Sequence, residues 1–236
     1  MTVLLAADSW LVVDGRARAV ERHWARFFTG CSEHGVEAEA LAGFRGRVER
    51  ALPARGRWFP RVELREYGDL AVRMRPAPPR EPTVVARIAN GPDPRRAPRR
   101  KGPDLERLAA LREHAAAHGA GEALLADADG RLLEGAFTSL LWWEGETLFV
   151  VPDDAPILPG ITRALLIEIA RERGTPVAQR RPAPLELAGR ETWLVSALHG
   201  IRAVTRWVDG GPAAGDAPRA AHWQRLLDDF AAGQTD

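Results

Sequence analysis

Lys101 is the only lysine in a chain of 236 residues that carries 33 basic side chains, so the other 32 are arginines. Arginine serves any surface that needs positive charge, but its guanidinium stays protonated and cannot attack a carbonyl. A neutral lysine amine can. Lys101 is therefore either a chance survivor on a basic surface or a retained nucleophile. A second feature is Leu158-Pro159-Gly160-Ile161-Thr162-Arg163, where a Pro-Gly turn feeds directly into a helix. The amides of Ile161 and Thr162 open that helix at the positive end of its dipole, which suits a phosphate or carboxylate. A plainly capped helix start is the other reading. The third feature is Glu134, which closes the short apolar strand Leu132-Leu133 and precedes Gly135. A carboxylate there is either solvated or the partner of a buried cation.

The composition sets the frame for these residues. Hydrophobic residues make up 45% and charged residues 28%, as in ordinary soluble domains, and the formal net charge is only +1. That balance argues against nucleic acid or an anionic membrane as partner. The single cysteine, Cys31, excludes a disulfide within the chain and a cysteine-rich metal site. No apolar run approaches a membrane span, and Met1 to Trp10 contains Asp8 and no basic stretch, unlike a signal peptide. A soluble cytoplasmic protein is the expectation. GxGxxG, P-loop, HExxH and GxSxG motifs are absent, and the six histidines show no metal-ligand spacing. No metal is expected.

The elements that position the three features follow from periodicity. Val3 to Ala7 and Trp10 to Val13 read as one or two strands. Trp24, Phe27, Phe28 and Cys31 predict a helix from Val20 to about Gly35, and Leu41, Phe44, Val48 and Leu52 a second one that Pro53 ends. Strands are expected at 57–67, 70–74 and 84–88. The proline- and arginine-rich loop Gly91–Pro103 reads as an interdomain linker, dividing a lobe at 1–94 from a larger one at 95–236. A helix at 104–118, short strands near 123–126, 132–133, 139–143 and 148–151, a helix at 162–173, strands near 177–180, 192–196 and 201–208, and a last helix at 219–231 complete the order. Trp142 and Trp143 alternate on one strand, so one faces the core and the other a lobe or dimer surface. The fold class is α/β with mixed strands, in two lobes.

In order and spacing, Lys101, Glu122-Ala123-Leu124-Leu125, Asp129-Gly130 with Glu134-Gly135, and Leu158 to Arg163 resemble the class IV aminotransferases. These fold-type IV pyridoxal phosphate enzymes include branched-chain and D-amino acid aminotransferases and aminodeoxychorismate lyase. Ser196-Ala197-Leu198-His199-Gly200-Ile201-Arg202-Ala203-Val204 is similar to the family's late loop before its final strand, and His23-Trp24-Ala25-Arg26-Phe27 to its early H-x-x-R-L helix motif. The resemblance covers roughly residues 8 to 208 and is strongest from Lys101 onward. It implies a cofactor, pyridoxal 5′-phosphate, with Lys101 bound to its aldehyde and, once released, shuttling a proton. It further implies that Glu134 pairs with the pyridine nitrogen. Ile161 and Thr162 then donate backbone N–H groups to the phosphate, and Arg26 adds a charge-assisted contact. Ala197 and Leu198 would lie near phosphate and substrate, and His199 either touches substrate or simply packs. Arg100, with Arg95, Arg96 and Arg99, either draws in a carboxylated substrate and lowers the lysine pKa or forms a solvated basic loop.

The chain also departs from the family. Asp8-Ser9-Trp10 stands near the place of a phenylalanine-glutamate-threonine-like strand, with about thirty fewer residues ahead of it, so a shortened first lobe is expected. Ser139 stands where asparagine is common, and no tyrosine follows Lys101. The resemblance implies an aminotransferase acting on a small amino or keto acid, and a homodimer. An aminodeoxychorismate lyase-like enzyme releasing pyruvate and a cofactor-free ligand-binding descendant are the alternatives.

Overall fold

The computed structural model describes residues 3–232. The chain divides into two units: residues up to Pro79 with Arg96–Leu105, and Arg80–Arg95 with Glu106–Phe230. One crossing thus falls inside the expected linker, at residues 95 and 96. The first crossing comes earlier than the boundary expected at residue 94, inside the proline-rich segment 76–82. The reason is burial. Val84 and Ala86 belong to the second unit's core and cannot leave it without exposing apolar surface.

The first unit contains β1 (Leu4–Ser9), β2 (Val12–Val13), β3 (Arg16–Ala17), α1 (Val20–Ser32), α2 (Ala38–Ala51), β4 (Arg57–Trp58), β5 (Arg61–Arg65) and β6 (Leu70–Arg73). An antiparallel sheet runs β1-β5-β6, beside a small sheet β3-β2-β4. The strand expected over 57–67 is interrupted at Phe59-Pro60, since proline offers no ladder N–H, and it ends in a turn where Tyr67 is fully exposed. Trp10, Trp24, Phe27, Phe44, Val62 and Leu64 fill the core between α1, α2 and the sheet. The aromatic stripe of α1 therefore faces inward, and the same face carries His23 and, beside it, Arg26 toward β1.

The second unit contains β7 (Thr83–Ile88), α3 (Leu105–Ala117), β8 (Glu122–Ala126), β9 (Leu132–Gly135), β10 (Ser139–Glu144), β11 (Thr147–Val150), α4 (Ile161–Glu172), β12 (Val177–Gln179), β13 (Thr192–Ser196), β14 (Gly200–Trp207) and α5 (Ala220–Ala232). Its sheet runs β12-β11-β10-β13-β14-β7-β8-β9. Glu134 of β9 also pairs with Ser139 of β10, which closes six of the strands on themselves. Glu134 is thereby fixed at the seam of a barrel-like sheet, a rigid place for a carboxylate. Both Trp142 and Trp143 are buried. Trp143 meets Trp193 and Trp223 edge-on, so the face expected to meet a lobe or a dimer partner is covered by α5 of the same unit.

Candidate active site

Lys101 lies in the first unit, on a loop held by its own backbone. The Asp104 carboxylate accepts the N–H groups of Arg96 at 3.0 Å and Ala97 at 2.8 Å, bracing the loop from inside. The Lys101 carbonyl accepts the Ala7 N–H of β1 at 2.7 Å. Gly102 makes that approach possible. Its φ is +139°, and a Cβ there would lie 2.8 Å from the Ala6 Cα. The lysine is thus set against β1 by main-chain contacts, leaving its side chain to the polar groups nearby.

Those groups centre on Asp8, which is fully buried on β1. Arg26 of α1 donates to it twice, Nε to Oδ2 at 2.7 Å and Nη2 to Oδ1 at 2.9 Å. His23 Nδ1 lies 2.9 Å from Oδ1, and Lys101 Nζ lies 3.5 Å from the same oxygen. Burial pushes the Lys101 amine down to about 8; Asp8 opposes this, and Arg26 and Arg75 reinforce it. Asp8 itself is held well below the usual carboxylate range by Arg26, Lys101 and His23, against the cost of its burial. Burial also lowers His23, which favours its neutral form.

In the second unit Glu134 is buried, with 5% of its side chain exposed. Its Oε1 accepts Arg95 Nη1 at 2.5 Å and the Leu158 N–H at 2.8 Å. Arg95 also donates to both oxygens of Asp93 and to the Pro156 carbonyl. Burial raises the Glu134 carboxyl to about 7 even beside this guanidinium. The buried-cation reading of the strand-end glutamate therefore holds, and the cation is Arg95. The Leu158 bond ties the carboxylate to the segment that becomes α4 three residues later. Gly160 is the N-cap in extended conformation, and no side chain caps the helix. The N–H groups at its first turn have no partners within the helix, as an anion site requires. Gly160 leaves room for Ser139 rather than open space: a Cβ there would lie 2.4 Å from Ser139 Oγ.

A family model, amino-transferase class IV, matches residues 5–207. The chain belongs to the class IV aminotransferase family. A hypothetical aminotransferase from Mycobacterium tuberculosis, solved with PLP bound, is 25% identical. The match covers 97% of this chain and 89% of that one, with a TM-score of 0.81. A branched-chain aminotransferase from Thermoproteus uzoniensis, solved with norvaline, shares the fold at 17% identity. There the coverage is 98% and 86%, and the TM-score is 0.83. A provisional 4-amino-4-deoxychorismate lyase from Legionella pneumophila also shares it at 17% identity, with 95% and 90% covered and a TM-score of 0.80. No curated protein matches the sequence.

Within this class IV chain, the structure brings together Lys101 and Arg26 through Asp8, and Glu134 with the approach to Ile161 and Thr162. Ala197, Leu198 and His199 form the three-residue turn between β13 and β14. His199 Nδ1 accepts the Glu81 N–H at 3.2 Å. Arg100 is turned to Glu33 and His34 of the first unit, so it is a surface ion pair. The cations that lower Lys101 are Arg26 and Arg75, in place of the expected group Arg95, Arg96, Arg99 and Arg100. Among the described residues no cluster of metal ligands occurs and no helix is long and apolar enough to cross a membrane.

Sequence reasoning missed Asp8 and Arg75 as participants, and it placed Arg95 beside the lysine where the structure pairs it with Glu134. Asp8 had a signal: it is the one acid in the first strand, directly after an apolar run, and a His and an Arg three residues apart follow it on one helix face. Arg75 had none beyond its composition. Among the described residues its side-chain hydrogen bonds go to neutral groups, the Phe59 carbonyl at 3.1 Å and Ser9 Oγ at 3.4 Å, with the Glu63 carboxylate acting on it from further off. Burial and the nearby Arg61 lower its pKa, and its charge is felt at Lys101.

Proposed function

We propose that this protein is an aminotransferase acting on small carboxylated amino and keto acids. Family membership makes it a pyridoxal phosphate-dependent enzyme, aminotransferase or lyase. The residues present fit that cofactor. They include one amine brought toward neutrality, one buried carboxyl poised near pH 7, and one uncapped helix N-terminus. Lys101 would hold the aldehyde carbon, Glu134 the ring nitrogen, and the backbone of Ile161 and Thr162, with Arg26, the phosphate. Ala197 and Leu198 would border the phosphate and substrate. When bound, the cofactor supplies an electron sink for the pair left on Cα as its proton departs.

The chain's own residues supply the rest. The Lys101 amine takes and returns the substrate proton, which requires it to be neutral in part of the working pH range. Asp8 and Arg26 fix where that amine can move. Arg75, a cation whose side-chain hydrogen bonds among the described residues go to neutral groups, is proposed to bind a substrate carboxylate by a charge-assisted hydrogen bond. The observation that carries the reading is Lys101: a sole lysine, partly buried, with its amine near neutrality. A descendant that has lost the cofactor does not account for an amine, a carboxyl and a helix start all kept in working form. The proposal includes a cytoplasmic homodimer, whose mass sedimentation measures.

The test is attachment. After incubation with pyridoxal phosphate the protein should gain a visible absorption band, and borohydride should fix the label on the Lys101 peptide. Lys101→Ala should gain neither. A colourless wild-type protein, or a label elsewhere, overturns the reading. Amino transfer that requires a keto-acid acceptor marks the aminotransferase, whereas pyruvate release from aminodeoxychorismate without an acceptor marks the lyase.

A further inference from the structure

Asp8 Oδ1 is oversubscribed. It accepts the Ser9 N–H at 2.7 Å and Arg26 Nη2 at 2.9 Å, lies 2.9 Å from His23 Nδ1, and only then meets Lys101 Nζ at 3.5 Å. The other oxygen is taken by Arg26 Nε at 2.7 Å. A carboxylate oxygen offers about two lone pairs, so the nearer donors occupy the good directions and the amine is left at the outer limit of a hydrogen bond. A tight pair would lock the lysine as an ammonium ion, and with no carboxylate at all burial and the two arginines would strip its proton at a lower pH. The observed geometry lies between these.

We propose that Asp8 is the positioning residue of Lys101, holding the free amine beside β1 through a long ion pair that Arg26, Ser9 and His23 keep from tightening. The proposal rests on the reading of Lys101 as the amine that binds the cofactor and shuttles the proton. Asp8 touches neither cofactor nor substrate in this role. The charged groups facing Lys101 are Asp8 from β1, Arg26 from α1 and Arg75 from the segment after β6; those facing His23 are Asp8, Arg26 and Lys101. Removing the Asp8 charge takes away the one group that favours the ammonium form and leaves Arg26 and Arg75 opposing it. Lys101 then loses its proton at a lower pH.

The single lysine makes this measurable in the cofactor-free full-length protein. Amine acylation can label only Lys101 and the chain's N-terminus, which peptide mass separates. In Asp8→Asn the midpoint of Lys101 labelling against pH should fall by about 1 unit, giving about tenfold more labelling near pH 6. Asp8→Glu should return the midpoint toward the wild-type value, which a merely structural loss would not do. Should Asp8→Asn fail to fold, Lys101→Gln gives the complementary measurement. Without the nearby ammonium, His23 should titrate at a higher pH by NMR. A folded Asp8→Asn with an unmoved Lys101 midpoint, an Asp8→Glu that does not restore it, or an unmoved His23 in Lys101→Gln overturns the proposal. None of these measurements involves the cofactor, so failure of the coupling is distinct from failure of attachment at Lys101.

Discussion

Gly102→Ala should disable the protein without touching a single reactive atom. A methyl group at this position would sit 2.8 Å from the Ala6 Cα, 2.9 Å from the Ala6 carbonyl carbon and 3.0 Å from the Ala7 nitrogen. All three are backbone atoms of β1, which cannot yield as a flexible side chain would. The residue's φ of +139° is also one that an L side chain rarely adopts. Backbone strain costs about 1–2 kcal/mol, overpacking against a fixed wall about 1–3, and loss of the Lys101–Ala7 backbone bond about 1. The sum is about 3–6 kcal/mol. At roughly 2–4 °C per kcal/mol for a chain of this size, the melting temperature should fall by about 6–24 °C. Relief would come from moving Lys101 off β1, so its labelling midpoint should also rise from about 8 toward the usual lysine range. Gly119→Ala is the control: its φ is +77° with nothing within 4 Å of the added atom, so only the backbone strain remains. If Gly102→Ala melts within about 2 °C of Gly119→Ala, with Lys101 reactivity unchanged, the argument that main-chain contact positions the lysine is wrong.

Other substitutions test the remaining groups. Arg75→Gln should raise KM for carboxylated substrates about 30- to 100-fold, the equivalent of one charged hydrogen bond, with a smaller effect on kcat. A KM that does not move would remove Arg75 from the substrate site. Asp104→Ala leaves the Arg96 and Ala97 N–H groups without their acceptor and should lower stability by about 2 kcal/mol, read from the urea midpoint. Glu134→Ala should reduce cofactor retention in equilibrium dialysis, with Lys101 labelling in the apo protein unchanged.

The elements were legible because each has a strong local signal. The α1 stripe, the turn residues Asp129-Gly130 and Gly145, and the Pro-Gly entry to α4 all act within a few residues. The unit boundary was not legible. Whether β7 belongs before or after the division depends on pairing with β8 and β14, more than thirty and more than a hundred residues away. The sole lysine, the strand-end glutamate and the helix start stood out as residue types. Their tuning did not, since burial sets most of it and burial is a property of the folded chain. The arginines next to Lys101 in sequence seemed the natural source of a lowered pKa, yet the effective ones come from α1 and from the segment after β6. Ser139 shows the same limit. As a letter it was a lost asparagine, and in the fold its hydroxyl occupies the space beside Gly160.

Glu134 and His199, both in the second unit, hide each other in any pH titration of stability. Glu134 is raised from an ordinary 4.5 to about 7 by burial, so folding takes up a proton between those values. That contribution is fully present below pH 4.5 and is lost as the pH rises to about 7, at a total of about 3 kcal/mol. His199 is lowered from 6.5 to about 4, chiefly by burial and then by Arg202. The unfolded chain holds that proton where the folded one does not, so its contribution grows with pH over about 4 to 6.5. His23, lowered in the same direction, adds to the rise. In the wild-type protein the Glu134 and His199 slopes should nearly cancel between about pH 4.5 and 6.5, leaving the rise that His23 adds. Relative to the wild type, His199→Asn should tilt stability downward with rising pH, and Glu134→Gln should steepen the rise. Urea midpoints at four or five pH values decide the matter. If both variants run parallel to the wild type, Glu134 is not carrying a raised pKa, and a carboxylate ionised throughout this range must be placed opposite the ring nitrogen instead.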